Sequence, residues 1–62
     1  MGKKVKPWKL IDGKIYQYKG YRSDKYMARE FARGLYWTER VETKTIYNEN
    51  KDVTDIYVRP RE

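Results

Sequence analysis

Trp8-Lys9-Leu10-Ile11-Asp12-Gly13-Lys14-Ile15-Tyr16-Gln17-Tyr18-Lys19 places two β-prone runs on either side of an Asp-Gly pair. Both central residues of a type I′ turn need positive φ, which Asp-Gly tolerates, so the stretch predicts a tight hairpin with strands at 6–11 and 14–19. Pro7 cannot donate to a ladder and restricts the first strand to an edge or a start. Gly20 is expected to end the second strand, and the side-chain oxygen of Ser23 or Asp24 to cap a helix over 25–33. Met27, Ala28, Phe31, Ala32 and Leu35 recur at helical spacing and form one apolar stripe, centred on Phe31, that can lie on a sheet. Gly34 is expected at the position after the helix, in the left-handed conformation, which would stop the helix near Arg33.

From Tyr36 the period changes to two. Trp37, Glu39, Val41, Thr43, Thr45 and Tyr47 fall on one side, and Tyr36, Thr38, Arg40, Glu42, Lys44 and Ile46 on the other. Neither side is cleanly apolar, which predicts a long twisted strand with a bulge between Val41 and Ile46. Residues 48–52 read as a polar turn and 53–58 as a last strand ended by Pro60. The order is β-β-α-β-β. The fold class is therefore α+β, a small antiparallel sheet with one helix packed on one face. Residues 1–4 read as a flexible basic arm and 5–62 as the single domain.

A chain of 62 residues buries only about 60% of its unfolded surface, which leaves little room for a deep cleft beside a complete core. Leu, Ile, Val and Phe number only eleven, but ten aromatic residues supply the missing apolar area while keeping their polar tips wet. There is no Cys and no His, so the chain lacks a disulfide framework, the easiest nucleophile and the usual base or metal ligand. The acids offer no compensation. Glu39 and Glu42 fall on opposite sides of a predicted strand, and Asp52 and Asp55 flank a turn. The four glycines are isolated, so no phosphate loop is present. The expectation is a non-enzyme with no cofactor, no metal and no small-molecule substrate. No apolar run approaches the roughly 18 residues of a membrane span, and the basic start lacks a signal peptide's apolar core, so the expected location is cytoplasmic. High charge of both signs with few Asn and Gln resembles the composition of thermophile proteins.

Charge is distributed unevenly. Lys3, Lys4, Lys6, Lys9, Lys14, Lys19 and Arg22 stand against Asp12 alone, so the first 22 residues carry the entire net charge of +6. Trp8, Tyr16, Tyr18 and Tyr21 interleave with those cations. Cationic and π surface on one segment suits nucleic acid, DNA or RNA, bound largely without regard to sequence. Lys25, Arg29 and Arg33 form a second row at helical spacing, which reads either as a solvated face or as a stripe tracking phosphates. Tyr16 and Tyr18 point to one side of their strand and are expected to be mainly core, with Lys14, Gln17 and Lys19 on the wet side. The alternative function is a protein-interaction module. A single helix covers one face of a sheet, so Tyr36, Trp37 and Tyr47 could bury the other in a homodimer.

The run Gly20-Tyr21-Arg22-Ser23-Asp24-Lys25, followed by Ala28-Arg29-Glu30-Phe31-Ala32-Arg33-Gly34 and a long strand, resembles half of the ferredoxin-like repeat of SPOR peptidoglycan-binding domains. That resemblance covers about forty residues and would imply a strand-helix-strand-strand unit and a glycan ligand. In size, basicity and lack of Cys and His the chain is also similar to the small chromatin proteins of thermophilic archaea. Neither likeness rests on a specific motif, and no family is assigned from it.

Overall fold

A computed structural model describes residues 8–61 of the chain. Its elements run β1 (Trp8–Ile11), β2 (Lys14–Arg22), α1 (Lys25–Thr38), β3 (Val41–Asn48) and β4 (Val53–Pro60). They form one antiparallel sheet in the order β1-β2-β4-β3 with the helix on one face, the α+β arrangement expected. β2 and β3 lie parallel on either side of β4 and are joined through α1, so the unit from β2 to β4 is a split β-α-β motif. The strand bounds at 6 and 7, Pro7 and the arm at 1–4 fall outside the described residues.

Local chemistry explains most of the boundaries. Asp12 (φ 53) and Gly13 (φ 77) both take positive φ, as a type I′ turn demands, and Ile11 pairs with Lys14 across it. Asp24 is the helix cap, its carboxylate accepting from the Tyr26 N–H at 3.1 Å.

Three expectations fail. Gly20 does not end β2. It sits at φ 155 in a β-bulge, where the register with β4 shifts between Tyr18 and Gly20, and the strand runs on to Arg22. The bulge expected in β3 is absent, and β3 pairs with β4 without interruption. Gly34 does not stop the helix, which continues for another turn to Thr38. Leu35 falls in line with Ala28 and Ala32 and is buried with them against Ile56. Burying a leucine contributes about 1.5–3 kcal/mol, which outweighs the roughly 1 kcal/mol that glycine costs inside a helix. The left-handed residue beyond the helix is Arg40 (φ 54) instead. Tyr36 and Trp37 consequently belong to the helix and not to a strand.

The core beneath the helix is Ala28, Ala32, Leu35 and Ile56, with Phe31, Val41 and Val58 partly buried around it. Phe31 is therefore at the margin and not the centre, and Met27 is exposed. Pairing places Val41, Thr43, Thr45 and Tyr47 of β3 on the helix side, with Thr54, Ile56 and Val58 of β4. Tyr16, Tyr18 and Tyr57 lie on the opposite side, so the tyrosines do not meet the helix.

That opposite side is nevertheless partly covered, with Tyr18 and Tyr21 left exposed on it. In a flat sheet β1 and β3 would stand about 14 Å apart, three strand spacings. Asp12 at the hairpin tip instead reaches Lys44 of β3 at 3.6 Å, and the Lys9 ammonium lies 5.8 Å from the Tyr57 ring centre, beside Ile46 and Asp55. The β1–β2 hairpin curls over the face that the helix leaves open, burying Tyr16 (3% exposed) and Tyr57 (9%). The sheet face expected to be uncovered is therefore covered in part by the chain's own hairpin. Curling has a cost on the other side: Trp8, Leu10 and Ile15, turned toward the helix side but beyond its reach, stay exposed.

Candidate nucleic-acid interface

Cations of the amino-terminal hairpin are largely engaged within the fold. Lys19, in the bulge, pairs with Glu39 at 3.4 Å. Arg22 stacks its guanidinium 4.0 Å from the Phe31 ring centre and donates to the Tyr21 carbonyl at 2.7 Å. Lys9 is drawn over Tyr57, and only Lys14 projects from the hairpin as an exposed cation without such a contact among the described residues. Trp8 is 41% exposed at the edge strand. Lys3, Lys4 and Lys6 lie outside the described residues.

The helical row is arranged differently. A groove runs between the outer flank of α1 and edge strand β3, lined by Tyr26, Arg29, Arg33 and Tyr36 from the helix and by Thr43 and Thr45 from the strand. Helical periodicity puts Lys25, Arg29 and Arg33 on this flank because the opposite one is occupied by Phe31 and Leu35. Arg61, just beyond β4, stands on Tyr36 of the groove wall: its guanidinium carbon lies 4.3 Å from the Tyr36 ring centre and its Nη2 donates to the Tyr36 carbonyl at 3.4 Å. None of Lys25, Arg29 and Arg33 has a carboxylate within ion-pair distance among the described residues, whereas Lys19, Lys44 and Arg59 each do. Glu30 is the only acid on the groove wall. Hydroxyls of Thr43 and Thr45 add neutral donors from β3, across the groove from the arginines, the mix of fixed charge and short polar side chains that suits a phosphodiester.

Sequence reasoning missed Arg61 and the two threonines. Nothing local signals them, because Arg61 meets Tyr36 across 25 positions of chain. The residues expected at a dimer interface are not brought together either. Tyr36 and Trp37 sit in the last helical turn, beside the start of β3, while Tyr47 lies near the opposite end of that strand with its hydroxyl donating to Asp52 at 2.7 Å.

Acidic chemistry is dispersed. Glu42 faces Arg59 and the Tyr16 hydroxyl, each at 3.4 Å, and among the described residues no group of three acids gathers as a metal site would require. Tyr18 and Tyr57 meet edge to face at 5.6 Å. Burial first, then the nearby Asp55 charge, raises the pKa of both phenols above the ordinary value of 10.0. The Tyr47 phenol is raised as well, chiefly by its hydrogen bond to Asp52. No described helix is long and apolar enough to cross a membrane. No known protein family, characterised protein or solved structure matches the chain.

Proposed function

We propose that this protein binds nucleic acid through its phosphates, largely without reading sequence, using the groove between α1 and β3. The observation that carries the reading is the set of arginines left without carboxylate partners on one flank: Arg29 and Arg33, continued by Lys25 and by Arg61 on Tyr36. Lys14, Arg40 and Lys51 also lack a carboxylate partner among the described residues, but Lys25, Arg29 and Arg33 stand in one helical row, so this flank presents a local positive field. Binding largely without sequence preference follows from contacts that are made mainly to phosphates, which carry no base information.

Fluorescence anisotropy of labelled DNA and RNA, repeated across salt concentrations, tests this directly. Affinity should fall steeply with salt, and replacing Arg29 and Arg33 with Ala should flatten the slope by roughly 0.7–0.9 for each phosphate that is no longer neutralised. Absence of binding at low salt, or binding indifferent to salt, would refute it.

A second reading, self-association, is favoured by the apolar corner at Trp8, Leu10 and Ile15. Leu10 and Ile15 are cross-strand partners, 61% and 57% exposed, and β1 is an edge strand with no strand on its outer side among the described residues. Two β1 strands pairing antiparallel about a two-fold axis would join at those outer sides and bury the corner on itself. The two readings use different surfaces and are compatible.

A further inference from the structure

Above the groove, the outermost ridge of α1 carries two bare rings that the core does not use. Tyr26 is 67% exposed and Trp37 is 70% exposed, the latter the most exposed large apolar residue of the described chain. At 100° per residue, Tyr26, Arg29, Arg33 and Trp37 fall within about a quarter of the helix circumference and climb it in steps of three, four and four. One line therefore carries an aromatic at each end and two arginines without carboxylate partners between. The rings are about 16 Å apart along the axis, a span of roughly five nucleotides at the stacked rise of 3.4 Å and fewer when the strand is extended. Trp37 is also held in place. Its ring stands perpendicular to Tyr36 with centres 5.1 Å apart, and Tyr36 is itself clamped by Arg61.

Resting on the nucleic-acid reading above, we infer that Trp37 is a stacking platform for an unpaired base and that the ligand is single-stranded. In the interior of a duplex both faces of each base are already stacked, so a bulky indole on a convex ridge meets only backbone or must wedge a step open at a cost of a few kcal/mol. An unpaired base offers its π-face directly, while Arg29 and Arg33 hold the phosphates that follow it. Base–indole stacking tolerates any base, which agrees with binding largely without sequence preference. Sugar identity has no part in this chemistry, so DNA and RNA single strands are both expected to bind.

The test compares Trp37→Ala, Trp37→Phe and the Arg29→Ala/Arg33→Ala double variant with the parent, using labelled oligo-dT, oligo-U and a blunt duplex. Exposure of Trp37 means the variants should keep the parent's circular dichroism spectrum. Trp37→Ala should weaken single-strand binding roughly 5- to 150-fold without changing the salt slope, leave duplex binding unchanged, and be largely rescued by Trp37→Phe. In a Trp8→Phe background, oligo-dT should quench the remaining indole emission. Equal losses on single strand and duplex, or no loss at all while the arginine variant still weakens binding, would overturn the stacking inference and leave the phosphate reading standing. A parent that binds none of the three probes would remove both.

Discussion

Gly34→Ala separates two accounts of the helix by the sign of its effect. A glycine just beyond a helix in the left-handed conformation resists substitution, because a Cβ there costs about 1–2 kcal/mol. In the structure Gly34 is instead an interior residue of α1, five positions after Arg29 and one before buried Leu35, and a Cβ built on it meets no atom within 4 Å. Nothing has to move to accept the methyl, and the carbonyl of Gly34 keeps its bond from the Thr38 hydroxyl at 2.8 Å. The gain is then that of alanine over glycine in a helix, about 0.8–1 kcal/mol, part of it from a less flexible unfolded chain. For a domain of this size that corresponds to a melting temperature higher by about 4–8 °C. Thermal unfolding followed by far-ultraviolet circular dichroism would register it. A lower melting temperature, with unchanged spectrum before the transition, would refute the extended helix and return Tyr36 and Trp37 to the following strand.

Ile56 is fully buried beneath Ala28, Ala32 and Leu35, so Ile56→Ala should cost about 2–5 kcal/mol, while the marginal Phe31 should cost less than its usual 3–5; urea titrations that rank Phe31→Ala as the more damaging would misplace the core. The raised phenols of Tyr18 and Tyr57 give stability that is full below pH 10, where folded and unfolded chains are both protonated, and that is lost as pH rises through the folded values, since the unfolded chain releases its protons first. Urea midpoints measured from about pH 8 to about pH 11.5 should fall more steeply for the parent than for Tyr57→Phe, and identical alkaline limbs would contradict burial of that phenol. Sedimentation equilibrium of the parent and of Leu10→Glu tests the apolar corner: dimers in the first and monomers in the second are expected, and a parent monomeric at high micromolar concentration ends that reading.

Short-range rules succeed in this sequence where a single dihedral or a single capping bond decides the outcome. Asp12-Gly13 had to take positive φ twice, and Asp24 offered the only short carboxylate before an apolar-periodic run. Glycine misleads at positions 20 and 34. Gly20 and Gly34 each carry a local penalty of about 1 kcal/mol, which propensity reads as an end, but pairing with Ile56 in one case and burial of Leu35 in the other outweigh it. The curl of the hairpin was not legible at all, because it rests on Asp12 meeting Lys44 and Lys9 meeting Tyr57, contacts between segments more than thirty residues apart. Of the candidate site, the row Lys25, Arg29, Arg33 could be read from periodicity. Its significance could not, since the sequence does not tell which lysines and arginines will find carboxylates, and the aromatic ridge exists only once Trp37 is known to be helical.

The most direct test of the central claim is where the ligand touches the protein. Amide chemical-shift mapping of the isotope-labelled chain, titrated with a short oligo-dT at low salt, resolves this residue by residue. The largest shifts are expected along the outer flank of α1 from Tyr26 to Trp37, at Thr43 and Thr45, and at Arg61, with the Trp37 indole N–H among them. Shifts confined to the hairpin between Trp8 and Lys19, or none above those of a salt control, would contradict binding through the α1–β3 groove.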